Sequence, residues 1–293
     1  APLDAATTSA SAATAWLSGS AQIGAIILAW YLFSSVSNSM SKAILKQLPS
    51  PATHTMAQFG FNAVFAFVTV HVLGVHADPV TLSLVRRALP LTVGNVLAHL
   101  LTSMALGLVS VSFTHTIKAS SPIYTVLLST LVLRERFTVP VLASLVPIIG
   151  GVALCTMSEV SFNGFGFATA VGSTLVFCCQ NIYSKKLFRD HNVHHITLLM
   201  TASMLGFTAM LPWFFYAELP KIVRAVDEQA FDTPHLIAQY VIMATAHYLQ
   251  NLAAFTVLTR VSPLTYSIGN TIKRVFVIVT SILYFGNYVS ESN

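Results

Sequence analysis

Three basic side chains, Lys118, Lys273 and Arg274, lie inside apolar stretches of this sequence, where cations are rare. Every Asp and Glu lies in a polar connection, in a tail or at the end of such a stretch, so no carboxylate accompanies the three cations. A charge at the centre of a bilayer costs about 2.5–3.5 kcal/mol on insertion scales, and neighbouring like charges repel one another. The pattern therefore predicts a bound anion with at least two negative charges, such as a phosphate monoester. Arg supplies a planar fork for its oxygens, and Lys a point charge.

A structural role is the alternative for each basic residue taken singly. A Lys near the end of a membrane helix usually extends its ammonium to the interface, and Lys118 lies near the start of its stretch. Lys273 and Arg274 lie near the middle of theirs, about 15 Å deep at 1.5 Å per residue, so this alternative is much weaker for them. The doublet Lys185-Lys186 ends an apolar stretch and is interpreted as an orientation signal.

Polar residues recur at helical spacing around the cations. Hydrogen bonding between membrane helices is the alternative role for each of them. His115 is predicted to pack rather than to bind. The ten histidines show no metal-ligand spacing, so neither a metal site nor a cofactor is predicted. The residues concerned are Asn95, His99 and Thr102; Thr114, Ser121 and Thr125; Gln180, Asn181 and Ser184; His247, Tyr248 and Asn251; and Tyr266 and Asn270.

The elements that must position these residues follow from composition and hydropathy. Hydrophobic residues make up 55% of the 293 residues and charged residues 9%, whereas a soluble domain carries about 25% charged residues. Apolar runs long enough to span a bilayer do not alternate apolar and polar residues as β-strands would. We therefore expect an all-α integral membrane protein with nine spans, near 20–45, 52–75, 84–110, 113–133, 139–157, 163–186, 195–217, 233–259 and 263–285.

The ends of the chain and the loop charges add two expectations. Residues 1–19 lack Lys and Arg and are predicted to be a polar N-terminal stub rather than a secretory signal. Residues 20–293 are predicted to form one transmembrane transporter domain. The face with the N-terminus carries eight loop Lys and Arg residues and the other face four, which favours the N-terminal side as the cytoplasm-like or matrix-like face. No basic run with interleaved aromatics supports nucleic-acid binding.

A short internal similarity suggests two related halves, about 20–157 and 163–293. "VSFTHTI" at 111–117 and "VSPLTYS" at 261–267 both lead into apolar helices that contain cations, and these two helices cross in opposite directions. Two five-helix repeats with inverted topology would give this relation. Such folds place their binding site near the midplane, between the repeats.

These segments resemble a known family. "VSFTHTIKASSP" (111–122) and "SPLTYSIGNTIKRVFVIVTSILYFGN" (262–287) are similar to two telling segments of the plastid phosphate translocators, ten-helix carriers of the drug/metabolite transporter superfamily. "NIYSKKLF" (181–188) and the helix order extend the resemblance over most of the chain. The resemblance implies a tenth helix where this sequence stops. "ASSP" departs from the Glu that usually precedes the Pro in green-plant members, which indicates a divergent version.

The resemblance implies that Lys118, Lys273 and Arg274 hold a substrate phosphate. His99, nineteen residues before Lys118, resembles members that carry triose phosphate, whereas phosphoenolpyruvate carriers tend to have Asn there. Thr102 and Tyr248 are further phosphate partners by similarity.

We therefore expect a strict antiporter, not an enzyme, that works by alternating access. It would exchange triose phosphate, 3-phosphoglycerate and inorganic phosphate across the plastid inner envelope, with the N-terminal side stromal. Its partners would be these small phosphorylated anions and the lipid bilayer. Another phosphorylated-metabolite carrier, for phosphoenolpyruvate or sugar phosphate, or a nucleotide-sugar transporter of the same superfamily stays open. An anion channel or an intramembrane phosphoester enzyme is the alternative from a different class.

Overall fold

The computed structural model describes residues 2–75, 77–109, 111–158, 162–191, 193–227 and 232–285. Every regular element in this part of the chain is helical, which confirms the predicted all-α class. In chain order the helices are α1 Pro2–Gln47, α2 Pro51–His71, α3 Leu82–Leu108, α4 Val111–Ala119, α5 Ser121–Leu128, α6 Val139–Ala143, α7 Val146–Ser158, α8 Gly164–His191, α9 His195–Trp213, α10 Leu219–Asp227, α11 Thr233–Arg260 and α12 Pro263–Phe285. Two π-helical turns, Ser129–Leu133 and Phe214–Glu218, continue α5 and α9.

The helical stretches coincide with the predicted spans. By length and hydropathy alone, seven stretches of the described chain could cross a membrane. They are Ala21–Gln47, Leu82–Ala105, Phe113–Leu133, Val139–Met157, Gly164–Asp190, His195–Asp227 and Thr233–Arg260. The two predicted spans outside this set are α2 and α12. Both carry polar side chains that line an internal cavity.

The N-terminal segment is helical in the structure. α1 begins at Pro2 and runs without a break into the first span. The segment is rich in Ala, the residue with the highest helix propensity, so a helix that starts in the membrane can extend through it.

Capping residues define where several helices begin. The Ser50 hydroxyl accepts a hydrogen bond from the Thr53 amide at 3.2 Å, at the start of α2, with Pro51 in the first turn. The Thr81 hydroxyl accepts one from the Leu84 amide at 3.3 Å, at the start of α3. Side-chain acceptors of this kind satisfy amides that have no partner within the helix.

Helix packing relates the two halves of the chain. α1 packs mainly on α11, and α3 packs mainly on α8. α2 packs on α9, and α4 and α5 pack on α12. If the spans of the first half are exchanged with the corresponding spans of the second half, the contact between α1 and α11 becomes the contact between α8 and α3. The contact between α2 and α9, and that of α4 and α5 with α12, are each converted into themselves. This pattern is what an inverted repeat requires.

The ends of α3 and α11 define the register of the repeat. Val109 and Val261 follow these helices in the same extended conformation, with φ/ψ of −132°/169° and −124°/166°. The next helices start two residues later, at Val111 and Pro263. Val109 therefore corresponds to Val261, whereas the predicted alignment pairs Val111 with Val261. The two alignments differ by two residues. Residues 109–112 contain the Val-Ser pair twice, so both alignments match a Val-Ser pair to residues 261–262.

Candidate anion-binding site

A cavity of about 190 Å³ lies between the two halves. Its walls combine polar side chains from both halves with a few aromatic rings. Helices α1, α2, α3, α4, α8, α11 and α12 all contribute to it. The lining includes Trp30, Ser34, Ser37, Asn38, Ser41, His54, Gln58, His99, Thr102, His115, Lys118, Phe177, Asn181, His247, Gln250, Asn251, Tyr266, Asn270, Lys273 and Arg274.

The structure brings Lys118, Lys273 and Arg274 to this one cavity. Lys118 and Arg274 are each only 6% exposed. The only ion pairs in the described part of the chain are Arg189–Asp190 and Lys221–Glu218, and neither involves a cavity residue. The three cations therefore face the cavity without a carboxylate partner among the described residues.

A break in the fourth span positions Lys118. Pro122 has no amide hydrogen to donate to the Lys118 carbonyl, whereas the first turn of a new helix accommodates a proline. α4 consequently ends at Ala119 and α5 begins at Ser121. Lys118 lies in the last turn of α4, where the helix dipole favours a cation.

Hydrogen bonds and aromatic rings hold the two lysine ammonium groups. Lys118 Nζ donates to Thr102 Oγ1 at 2.5 Å and lies 5.1 Å from the centroid of the Phe177 ring. Lys273 Nζ lies 4.7 Å from the centroid of the Trp30 ring. Cation–π contacts of this kind compensate a buried charge only in part.

Arg274 retains an unused donor. Its Nη1 atom is buried and has no hydrogen-bond partner among the described residues. The side chain shares its helix with Thr271, whose hydroxyl donates to the Ala119 carbonyl at 3.2 Å. That bond ties α12 to the break after Lys118, so the cations of the two halves are held against each other.

A chain of hydrogen-bonded polar side chains forms another wall of the cavity. His99 Nδ1 lies 3.1 Å from Gln58 Oε1, and Gln58 Nε2 lies 3.0 Å from His54 Nε2. Because Gln58 Oε1 can only accept, His99 Nδ1 is the donor, and Nε2 of a neutral His99 is left as an acceptor. Gln250 Nε2 donates to His247 Nδ1 at 2.9 Å on the neighbouring helix.

Tyr248 does not reach the cavity, in contrast to the expectation from the resemblance. Its hydroxyl donates to Thr69 Oγ1 at 2.7 Å, and its ring packs against Ala66, Leu199 and Met200. Successive residues of a helix point about 100° apart, so His247 and Gln250 line the cavity while Tyr248 faces α2 and α9.

The α1 contribution to the cavity was not predicted. Four polar residues of α1 line it: Ser34, Ser37, Asn38 and Ser41. Residues three and four apart lie on the same face of a helix, so these four share one face. The polar run "SSVSNSMSK" carried this signal within an otherwise apolar stretch. His115, which was predicted to pack, also lines the cavity.

A second internal repeat connects α1 and α8. "NSMSK" at 38–42 matches "NIYSK" at 181–185 in the corresponding span of the other half. Lys185 Nζ donates to the carbonyls of Leu258 and Thr259, at 3.0 and 3.1 Å. Lys185 therefore caps the C-terminal end of α11, a contact beyond the predicted orientation signal.

Comparisons with known proteins agree with this architecture. The model of the Triose-phosphate Transporter family matches residues 21–293. Over 276 residues the chain is 38% identical to phosphoenolpyruvate/phosphate translocator 1, chloroplastic, of Arabidopsis thaliana, covering 93% of this chain and 67% of that protein. It is 37% identical to the non-green plastid triose phosphate/phosphate translocator of Brassica oleracea var. botrytis, covering 93% and 68%.

Two further matches widen the set. Glucose-6-phosphate/phosphate translocator 2, chloroplastic, of Arabidopsis thaliana is 31% identical, with 93% of this chain and 71% of that protein covered. A crystal structure with 14% sequence identity superimposes with a TM-score of 0.63 over 93% of this chain and 91% of the other, which shows a shared fold. The chain belongs to the triose-phosphate transporter family, whose members are transporters and not enzymes.

Proposed function

We propose that this protein exchanges triose phosphate, 3-phosphoglycerate and inorganic phosphate across the plastid inner envelope as a strict antiporter. The observation that carries the proposal is the convergence of Lys118, Lys273 and Arg274 on one cavity without a carboxylate partner among the described residues. Relatives named as phosphate translocators of chloroplasts and other plastids support the phosphate and the plastid membrane.

A phosphate group supplies the negative charge and the hydrogen-bond acceptors that the three cations lack. A dianion balances most of their charge, and its oxygens accept hydrogen bonds from ammonium and guanidinium groups. The unpaired Nη1 of Arg274 is one donor available for it. Lys118 is held by Thr102 at 2.5 Å, so the Thr102 hydroxyl orients the ammonium beside the ligand.

His99 supports the three-carbon branch of the substrates. With Nδ1 engaged by Gln58, its Nε2 atom is available to a hydroxyl of the substrate. The curated relatives carry names that include phosphoenolpyruvate, triose phosphate and glucose 6-phosphate. The choice of triose phosphate and 3-phosphoglycerate therefore rests on His99 and on the "TIKA" sequence at 116–119.

Charge compensation explains why exchange should be strict. Closing the empty cavity from both sides would bury three cations that repel one another. A bound anion removes most of this repulsion, so only the loaded carrier passes through the closed state. The two halves, about 20–157 and 163–293, would rock around the site, with the N-terminal side facing the stroma. Lys185, which caps α11, would stabilise one of the end states.

The rival functions need features that these contacts do not favour. A channel would keep the cavity open to both sides and would not need compensation for closure. An intramembrane enzyme needs a base, a nucleophile or a metal beside the phosphate. Among the described residues, no group of three or more His, Cys, Asp or Glu could hold a metal ion.

Uptake of labelled phosphate into liposomes tests the proposal. Vesicles that contain the purified protein are loaded with phosphate, triose phosphate, 3-phosphoglycerate, phosphoenolpyruvate or glucose 6-phosphate. We expect uptake only with the first three. Uptake driven only by phosphate and phosphoenolpyruvate, or only by phosphate and glucose 6-phosphate, would reject the proposed substrates and retain the exchange mechanism.

A further inference from the structure

A second cavity, of about 330 Å³, lies on the outer surface of the bundle, between α3, the fourth span and α8. Its walls are mostly apolar, in contrast to the central site. They comprise Pro90, Leu91, Gly94, Leu128, Val132, Val176, Cys179, Gln180, Ile182, Tyr183 and Lys186. Val132 is 59% exposed and Cys179 is exposed, so this groove opens sideways, toward the lipid.

Local irregularities in two of the helices shape the groove. Pro90 lies inside α3, where it cannot donate a backbone hydrogen bond to the Arg86 carbonyl. The fourth span ends in the π-helical turn Ser129–Leu133, which widens its last turn. Two side chains of α8 donate hydrogen bonds to carbonyls of α3 on either side of Pro90. Gln180 Nε2 donates to the Leu91 carbonyl at 3.2 Å, and Tyr183 Oη donates to the Arg87 carbonyl at 3.0 Å.

The groove runs from the membrane interior to the face that holds the connections after α2, the fourth span, α8 and α11. Gly94 lies about 10 Å below Arg87, at 1.5 Å per residue. All three lining elements carry basic residues where they reach this face. These residues are Arg86 and Arg87 at the start of α3, Arg134 and Arg136 after the π-helical turn, and Lys186 near the end of α8.

Among the residues that the structure describes, the five basic residues at the mouth of the groove form no ion pair, and they outnumber Glu135, which lies between Arg134 and Arg136. Neither ion pair in the described part of the chain involves any of these five cations. Lys186 itself lines the groove.

We propose that the groove binds one anionic phospholipid, with an acyl chain against its apolar walls and the headgroup phosphate beside Lys186 and Arg87. The walls fit an acyl chain because they are apolar and open to the bilayer. The mouth fits an anionic headgroup because basic pockets between membrane helices attract such headgroups. A neutral phospholipid would fill the walls equally well but would leave the excess positive charge at the mouth uncompensated.

Native mass spectrometry of the purified full chain tests this site. The protein is incubated with phosphatidylglycerol or with phosphatidylcholine that carries the same acyl chains, and bound lipid is counted. We expect one phosphatidylglycerol to bind more tightly than phosphatidylcholine. Lys186→Gln should weaken phosphatidylglycerol about fivefold, the contribution of one cation at an anionic headgroup, and should leave phosphatidylcholine unchanged. Cys179→Trp should fill the groove and displace both lipids.

Two matched variants separate the groove from general effects of charge and bulk. Lys46→Gln removes an exposed cation at the end of α1, on the opposite face. Leu127→Trp introduces the same large side chain at a lipid-facing position outside the groove, which is 54% exposed. Neither should change lipid binding. Equal binding of the two lipids by the wild type, or an equal loss in Lys46→Gln and Lys186→Gln, would overturn the proposal. Unfolding temperatures of all four variants verify that each one is folded.

Discussion

Replacing Arg274 probes the anion site directly, because its side chain is 6% exposed and its Nη1 atom has no partner. A phosphate held by the guanidinium fork accepts two charge-assisted hydrogen bonds, each worth about 1.5–3 kcal/mol. Arg274→Gln loses both, so phosphate affinity should fall about 10²- to 10⁴-fold. Arg274→Lys keeps the charge but loses the fork, so the fall should be about 10- to 100-fold.

The stability of the empty protein should not follow this loss of affinity. Arg274→Gln removes one of three cations that repel one another, so the unfolding temperature without phosphate should stay the same or rise. Thermal unfolding at increasing phosphate concentration measures stability and affinity in one titration. Arg224→Gln, an exposed arginine on α10, is the matched control and should change neither. Retained phosphate affinity with a lower unfolding temperature would refute the reasoning, because Arg274 would then act in packing alone.

Three further substitutions test other parts of the account. His99→Asn should weaken the inhibition of phosphate exchange by triose phosphate about tenfold, relative to inhibition by phosphoenolpyruvate, because one hydrogen-bonding group is replaced. If the ratio of the two inhibition constants stays unchanged, the proposed role of His99 is wrong. Tyr248→Phe should change exchange less than about twofold and lower stability by about 1 kcal/mol, because only the bond to Thr69 is lost; a tenfold rise in the phosphate KM would instead place Tyr248 at the site. Lys185→Gln should lower the exchange rate several-fold, because Lys185 caps α11 in one of the two end states of the rocking motion. Phosphate affinity of the purified protein should change less than about twofold. An equal loss of phosphate affinity would reject this role.

The cations were predictable from the sequence because a charge in an apolar stretch is visible without knowing the fold. Their convergence was suggested by the missing carboxylates, and the structure brings Lys118, Lys273 and Arg274 to one cavity. Thr102 and His99 were predicted from the family resemblance and from their shared helical face, and both line the cavity.

The placement of Tyr248 could not be read from the sequence. Its helix carries polar side chains on more than one face, and each residue turns the face by about 100°. Only the packing of α11 against α1 and α2 decides that Gln250 lines the cavity and Tyr248 does not.

The serines of α1 were missed for a different reason. A serine hydroxyl can form its hydrogen bond within its own helix, so a serine in an apolar stretch resembles an ordinary packing residue.

The central claim is that the cavity closes only around an anion. Vesicles that contain the protein and labelled phosphate are diluted into medium with phosphate or into medium with no transportable anion, and phosphate efflux is timed. The account predicts fast efflux only when phosphate is present outside. Efflux at the same rate into both media would contradict it, because the empty carrier would then return across the membrane with three uncompensated cations.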